Sequence, residues 1–363
     1  MMMFAPPDPH PLVPDQAGPE PARQIGAFRC RLAPWITRAA VVAAIVVSWL
    51  LDRGTLFVVP FLFVLIVPFE KMFPRHRGQR VRRPLAALDI RYALTAPLLN
   101  VIGITVAVVV GLASLAWVPG LLLRPLVGML PRSVLPFVGI ALFDLAIYWV
   151  HRWSHEVPTL WRFHAVHHST EHLDWISGFR NHPFDGAIVA PPFVLLLAAG
   201  FDAAFTGALA VIQIVTGLFL HANVRWRWRP LHRVVITPEF HHWHHANEVD
   251  AHNSNYSVFL PVWDLLFGTY YMPRNKRPMR YGVNDDIPTT MVGQLRYPLA
   301  GVRSPRRMIR HPWQSLRAAV PIVRRVCQDV WRSTTRPRVR RLRPGELCRW
   351  AQVPPTCQGP SGS

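Results

Sequence analysis

The chain has 363 residues, 51% of them hydrophobic, and a positive mean hydropathy of +0.18. Long uncharged runs alternate with strongly basic segments, which favours a membrane protein with several spans over two soluble domains. The net charge of +20 comes mainly from arginine, since Lys71 and Lys276 are the only lysines. Because these arginines flank apolar spans, lipid headgroups and membrane topology explain them, and no nucleic-acid partner is expected.

The apolar segments, taken in chain order, predict an all-α fold, a polytopic transmembrane helical bundle. A helix needs about 20 apolar residues to cross the hydrocarbon core. One segment is long enough, one is near the lower limit, and the others form two pairs of shorter runs. The segments are Ala39–Leu51, Leu56–Pro68, Tyr92–Trp117, Val134–Val150, Ala187–Phe201 and Ala203–Leu220.

The distribution of arginine predicts which ends of these segments share a membrane face. The loop from Lys71 to Arg91 is strongly basic and is therefore assigned to the cytoplasm. The next span leads out and Val134–Val150 leads back, so that His151 emerges on the cytoplasmic face. The pair over 187–220 then returns His221 to the same face. We therefore expect a histidine-rich helical cap on the cytoplasmic side of a multi-pass protein, in a bacterial inner membrane.

The histidines are concentrated in one part of the chain, with 14 of 17 lying between His151 and His252. Three boxes read HRWSH, HAVHH and HHWHH, and the second and third share the spacing H-x-x-H-H. Spacings of three and four residues place side chains on one face of a helix. Imidazole binds iron, zinc and copper, and one tetrahedral site has no room for eight ligands, so the pattern predicts two metals. The boxed candidates are His151, His155, His164, His167, His168, His241, His244 and His245.

Other polar residues in this region are weaker candidates. His221 follows a span that returns to the predicted cap, and we expect it to be a ninth ligand. His182 is a lone histidine on the same face, which is either a ligand or a structural residue. His242 points away from its neighbours on the same helix and is expected to be outside the ligand set. Asp144 lies two turns before His151 at membrane depth, where it either orients a ligand imidazole or pairs with another group.

Five motifs in this order resemble the fatty acid hydroxylase/sterol desaturase superfamily of integral membrane di-iron oxygenases. The pattern D-x-x-x-Y-x-x-H-R-x-x-H begins at Asp144, and LWRFHAVHHS, FRNHP, TPEFHHWHH and VWDLLFGT follow it. The similarity covers roughly residues 135–290. One position departs from certain members, because Arg225 stands where they place a second histidine after His221.

The resemblance implies a site with two iron ions that uses molecular oxygen to hydroxylate or desaturate a C–H bond of a lipid. Sterols, fatty acyl chains and carotenoids are substrates of this kind. It also implies a separate electron-transfer protein, of the ferredoxin or cytochrome b5 type with its reductase. Asp144 and Tyr148, both in the first motif, are the expected catalytic residues.

These expectations divide the chain into four regions. They are a flexible N-terminal tail (1–37), an N-terminal transmembrane region (38–132), a fatty acid hydroxylase-like catalytic region (133–290) and a basic, arginine-rich C-terminal tail (291–363). We expect the last region to face solvent or lipid headgroups.

A different class of function remains open, that of a histidine-rich metal transporter or store. Transporters usually place ligands within their spans near the midplane. Here the histidines lie in polar segments at one membrane face, which favours an enzyme. A structural membrane protein with incidental histidines does not account for the repeated boxes.

Overall fold

The computed structural model describes residues 38–335, except 41, 52, 226–228, 301–309 and 311. All features discussed below lie in the compact unit that begins at Ala44. The tail predicted over residues 1–37 and the end of the basic region, residues 336–363, lie outside the described residues.

Between residues 53 and 335, the described chain forms α-helices, short 3-10 helices and two isolated β-bridges, Pro74–Val224 and Ala246–Tyr281. The prediction of an all-α fold is therefore confirmed. The α-helices are α1 (Arg53–Met72), α2 (Ala86–Ala113), α3 (Trp117–Gly128), α4 (Leu135–Glu156), α5 (Pro158–His168), α6 (Pro183–Ile188), α7 (Ala190–Ala199), α8 (Ala203–His221), α9 (Pro238–His244), α10 (Val262–Leu266), α11 (Met291–Arg296) and α12 (Pro312–Thr335).

Three of the described helices, α2, α4 and α8, are long and apolar enough to cross a membrane. Helix α2 occupies Ala86–Ala113 where the sequence predicted a span over Tyr92–Trp117. The shift has a backbone cause, because Leu85 and Leu115 both have a positive φ, which places them outside the helix that they flank. Exposed apolar side chains on α2 and α8, such as Val109 and Val211, are suited to contact with lipid.

The predicted break around Asp202 is confirmed as the turn between α7 and α8. Gly200 ends α7 with a φ of +96°, a conformation that favours glycine. The Asp202 carboxylate then accepts a hydrogen bond from the backbone N–H of Phe205 at 2.6 Å, which caps the start of α8. The same stretch of apolar sequence is thereby divided into two helices.

Close helix packing brings α3 and α7 together beside the longer helices. A methyl group at Gly120 of α3 would lie 2.6 Å from the carbonyl oxygen of Leu195, so only glycine permits this approach. Next to it, Phe143, Ile147, Leu196 and Leu209 form a buried apolar cluster between α4, α7 and α8. This cluster fixes the mutual positions of the two helices whose C-terminal ends carry His151 and His221.

Helix α12 occupies part of the region predicted as a basic tail. It packs against α4 through its last turns. Ser333 donates a hydrogen bond to the Glu156 carboxylate at 2.7 Å, and the indole N–H of Trp153 donates to Thr334 at 3.1 Å. The arginine-rich sequence thus includes an ordered helix attached to the C-terminal end of α4.

Candidate metal centre

Nine histidines from four helices and the residue after α9 converge into two neighbouring groups. Within each group, one ring nitrogen of every histidine lies within 4.8 Å of those of the others. Group A comprises His151, His155, His164, His168 and His244, and group B comprises His167, His221, His241 and His245. The two groups touch, since the rings of His168 and His245 stack with their centroids 4.1 Å apart.

Helical geometry divides each H-x-x-H-H box between the two groups. In α5, the i and i+4 residues His164 and His168 face group A, while His167 faces group B. The third box does the reverse, because His241 and His245 face group B and His244 faces group A. Adjacent positions on a helix point about 100° apart, so one box supplies ligands to two sites.

Backbone and carboxylate oxygens orient three rings of group A. His151 donates from Nδ1 to the carbonyl oxygen of Tyr256 at 2.7 Å, and His244 donates to that of Ser254 at 2.9 Å. The Nδ1 of His164 lies 3.0 Å from the Asp185 carboxylate. Each contact holds the proton on Nδ1. The Nε2 atom of the neutral ring therefore carries a lone pair, which faces the centre of the group.

Group B shows most clearly that a cation fits. His167 donates from Nδ1 to the carbonyl oxygen of Arg180, and His221 donates to that of Gly217 at 2.7 Å. A carbonyl oxygen only accepts, so both Nε2 atoms carry lone pairs in the neutral rings. Those two atoms face each other at 3.2 Å, and with both protons on Nδ1 neither has a proton to donate to the other. A metal ion held by His167 and His221 would relieve this repulsive contact.

The same conclusion follows from ring nitrogens that have no hydrogen-bond partner. The Nε2 atoms of His155 and His244 are buried and unpaired. A buried polar atom without a partner costs about 1–3 kcal/mol. Burial, with a smaller contribution from neighbouring imidazoles, holds the pKa of His168, His244 and His245 well below the ordinary value. The rings are therefore neutral, which is the form that binds a metal.

His242 and His182, which were considered beside the boxed candidates, both lie outside the two groups. His242 directs Nδ1 to the Tyr281 hydroxyl at 3.0 Å and Nε2 to the carbonyl oxygen of Ala222 at 3.1 Å. His182 uses Nε2 for the carbonyl oxygen of Leu295 and Nδ1 for the N–H of Phe184. Both nitrogens of each ring are occupied, so the structure gives neither residue a free ligand atom.

In the structure, Asp144 and Tyr148 form hydrogen bonds that hold neighbouring segments of the chain in place. The Asp144 carboxylate accepts the backbone N–H groups of residues 258–260 at 2.8–3.1 Å, and these three donors are not histidine rings. The sequence left two roles open for this buried acid, orienting a ligand imidazole or pairing with another group. These contacts match the second role. The Tyr148 hydroxyl contacts Thr269 at 3.0 Å and receives a hydrogen bond from Arg152.

Two other carboxylates near the groups were not singled out from the sequence. Asp185 holds His164, and its only sequence signal is its place in HPFD, just after FRNHP. Asp264 accepts the backbone N–H groups of Tyr256 and Ser257 at 2.8 and 2.9 Å. It thus fixes the carbonyl that receives His151. Asp264 lies within the motif VWDLLFGT. An acid among apolar residues is the feature of the sequence that could have identified it.

A buried cluster of charged side chains supports group B through Arg180. Arg83 contacts Asp174 at 2.6 Å and Asp89 at 2.7 Å, and Arg180 contacts Asp89 at 2.6 Å. All four side chains are at least nine-tenths buried. Because the carbonyl of Arg180 receives His167, this cluster links the start of α2 to the position of a group B ring.

Comparisons with known proteins bear on the same part of the chain. A family model described as fatty acid hydroxylase matches residues 136–269, which include both histidine groups. An ornithine lipid hydroxylase from Rhizobium tropici is 27% identical over 274 residues, covering 71% of this chain and 80% of that protein. An alkylglycerol monooxygenase from Danio rerio is 30% identical over 158 residues, covering 43% of this chain and 33% of the relative. A very-long-chain aldehyde decarbonylase from Oryza sativa subsp. indica is 28% identical, with 35% and 21% covered. No solved structure matches the chain significantly.

Proposed function

We propose that this chain, which matches the fatty acid hydroxylase family over residues 136–269, is a membrane-bound, oxygen-dependent enzyme that hydroxylates a C–H bond of a lipid. The observation that carries the proposal is the pair of touching, all-imidazole groups at the end of a helix able to span a membrane. Relatives named as a hydroxylase and a monooxygenase of lipids support this reaction class over desaturation.

Iron is the proposed metal of both groups, with His151, His155, His164, His168 and His244 holding one ion and His167, His221, His241 and His245 the other. Imidazole suits iron as well as zinc and copper, but zinc has no redox chemistry. When bound, two irons would supply the activation of molecular oxygen that hydroxylation requires. The carbonyl groups of Tyr256, Ser254, Arg180 and Gly217 and the carboxylate of Asp185 hold the rings in the orientation for binding.

An apolar cleft is the proposed place for the lipid chain. It has a volume of about 300 Å³ and lies between α4, α8 and the segments around residues 235 and 258. Its walls include Ile140, Leu209, Ile212 and Phe259. Asp144 fixes the segment over 258–260, while Tyr256, just before it, receives His151. The same stretch of chain therefore borders both the cleft and group A.

Hydroxylation of a C–H bond by molecular oxygen places one oxygen atom in the product and the other in water, and it consumes two electrons and two protons. The electrons must come from a donor, for which we propose a separate ferredoxin or a cytochrome b5-type protein with its reductase. We further propose that the histidine groups face the cytoplasm, where such donors are reduced. The basic loop between α1 and α2 supports this orientation.

Transfer of labelled oxygen into lipid tests the proposed reaction. Membranes that contain the protein, a reduced ferredoxin system and isotopically labelled oxygen should yield hydroxylated lipid with one labelled atom per new hydroxyl group. A His168→Ala variant in equal amount is the control and should give none. Labelled water in place of labelled oxygen should leave the product unlabelled. Hydroxyl oxygen derived from water, or lipid that is unchanged in the presence of a competent donor, would contradict the proposal.

Asp185→Asn is expected to weaken metal binding most in group A. The carboxylate lies 3.0 Å from Nδ1 of His164, and loss of such a partner typically lowers metal affinity 10–100-fold. Competition with a chelator measures this change as faster release of about half the metal. Asp250→Asn, at an exposed position, is the matched control. Equal release from both variants would show that Asp185 does not support the site.

A further inference from the structure

Helix α12 has two chemically different exposed sides. One side carries a stripe of large apolar residues, in which Trp313 is 75% exposed and Trp331 is 68% exposed. Val320 and Val323 lie between them and are each 59% exposed. Spacings of three, seven and eight residues place these side chains on one side of the helix. An isolated exposed tryptophan is ordinary, but a continuous stripe with a tryptophan near each end indicates a surface that is normally covered.

Arginines border this stripe. On a helical wheel, Arg317 and Arg324 lie directly beside the edge that carries the two tryptophans, and both are exposed. Arg325 and Arg332 lie farther around on the polar side, also exposed. An arginine at the edge of an apolar stripe can lay its methylene groups on the apolar surface while its guanidinium stays in a polar layer.

The last turn of the helix is attached to the protein, and the attachment fixes its level relative to the membrane. Ser333 and Thr334 contact Glu156 and Trp153 at the C-terminal end of α4. Helix α4 is long and apolar enough to cross a membrane, so its end marks the boundary between hydrocarbon and water. Glu156 directly follows His155 of group A, so α12 lies on the same face as the histidine groups.

These observations together indicate which environment contacts the apolar stripe of α12. Helices with tryptophans on an apolar side and arginines beside it lie in the plane of a bilayer, with the apolar side among the acyl chains. Tryptophan is favoured at the boundary between headgroups and hydrocarbon. Each arginine near an anionic leaflet is attracted to it by roughly 1 kcal/mol, which corresponds to about a fivefold change in an equilibrium constant.

We propose that α12 is an interfacial helix that inserts the stripe of Trp313, Val320, Val323 and Trp331 into the leaflet at the histidine-bearing face and binds anionic lipid headgroups through Arg317 and Arg324. The anionic bilayer is the occupant that fits, because the stripe is apolar, its border is cationic and the anchor point lies at a membrane boundary. This function of α12 is independent of the reaction carried out at the histidine groups.

Two spin-label positions on α12 test the proposal in the full-length protein. Cys327 is exposed on the apolar side, and its neighbour Gln328 is exposed on the polar side. Cys30, Cys348 and Cys357 are replaced by serine. One version keeps Cys327, and the matched control carries Cys327→Ser with Gln328→Cys. Each is labelled with a nitroxide and reconstituted in phosphatidylcholine vesicles with and without phosphatidylglycerol. Accessibility to oxygen reports acyl chains, and accessibility to a water-soluble nickel chelate reports water.

In vesicles with phosphatidylglycerol, the label at Cys327 should be accessible to oxygen and shielded from nickel, while the label at position 328 shows the reverse. Arg317→Gln with Arg324→Gln should lower the ratio of inserted to water-exposed Cys327 label by about 25-fold in those vesicles, since each arginine contributes about fivefold. Equal access of nickel to both labels would place the helix in water and overturn the proposal. Shielding of Cys327 from both reagents would indicate a protein partner, such as a second copy of the chain, and would overturn it as well.

Discussion

Replacement of His241 or His244 with alanine is expected to lower the metal content by about half or more and to reduce lipid hydroxylation to background. His241 belongs to group B and His244 to group A, so each change removes one imidazole from a different metal. Group B has four histidines, and loss of one leaves too few ligands for a stable four-coordinate site. Because the groups share helix α9 and stack through His168 and His245, loss of either metal also disturbs the other.

His242→Ala is the matched control for these two variants, since it changes a buried histidine of the same helix. His242 uses both ring nitrogens for Tyr281 and Ala222, so its loss costs about 1–3 kcal/mol of stability but no ligand. Elemental analysis of the three purified variants, with hydroxylation measured on the same samples, makes the comparison. Equal metal loss in all three would contradict the assignment of ligands in α9.

Asp89→Ala should lower the stability of the protein by about 3–5 kcal/mol. Asp89 is fully buried and contacts both Arg83 and Arg180, at 2.7 and 2.6 Å. Without its carboxylate, the guanidinium of Arg180 loses its ion-pair partner in the interior. The midpoint of thermal unfolding in mild detergent should fall by roughly 10 °C. Metal in group B should also become easier to remove, because the carbonyl of Arg180 positions His167.

Asp286→Ala removes the same charge at an exposed position and is the control for that experiment. Its unfolding midpoint should change by no more than that of an ordinary surface substitution. A similar midpoint for Asp89→Ala and Asp286→Ala would show that the buried cluster does not stabilise the fold.

The ligand candidates were accessible from sequence because helical spacing alone places the boxed histidines on shared faces. The nine residues that converge are those chosen from the boxes together with His221, which the arrangement of spans brings back to the same place. The division into groups A and B was not predicted, because it depends on the rotation of α5 and α9 about their axes. That rotation is set by packing that involves Phe240 and Trp243, both fully buried.

The residues that orient the rings are harder to find in a sequence. Four of the five contacts come from backbone carbonyls, which every residue possesses, so Tyr256, Ser254, Arg180 and Gly217 carry no chemical signal. Asp144 shows a related difficulty, since its helical spacing from His151 left open whether it orients a ring or pairs with another group. The structure uses it to hold the backbone of residues 258–260, because those N–H groups are buried and need an acceptor.

The bounds of the apolar helices could also be predicted only in part from the sequence. Hydropathy located the long helices, but Leu85 and Leu115 determine where α2 begins and ends through their backbone conformation. Helix α12 was not predicted, because the high density of arginine was interpreted as a tail that faces solvent or lipid headgroups. Its apolar residues recur at helical spacing, and that periodicity was the signal available in the sequence.

The metal content of the purified protein tests the central claim most directly. Two separate groups of imidazoles converge in the structure, and we propose that each holds an iron ion. Elemental mass spectrometry of protein prepared in iron-supplied cells should find two irons per chain, with one lost readily from Asp185→Asn. One iron per chain, or zinc in both sites of a preparation that hydroxylates lipid with labelled oxygen, would contradict the account.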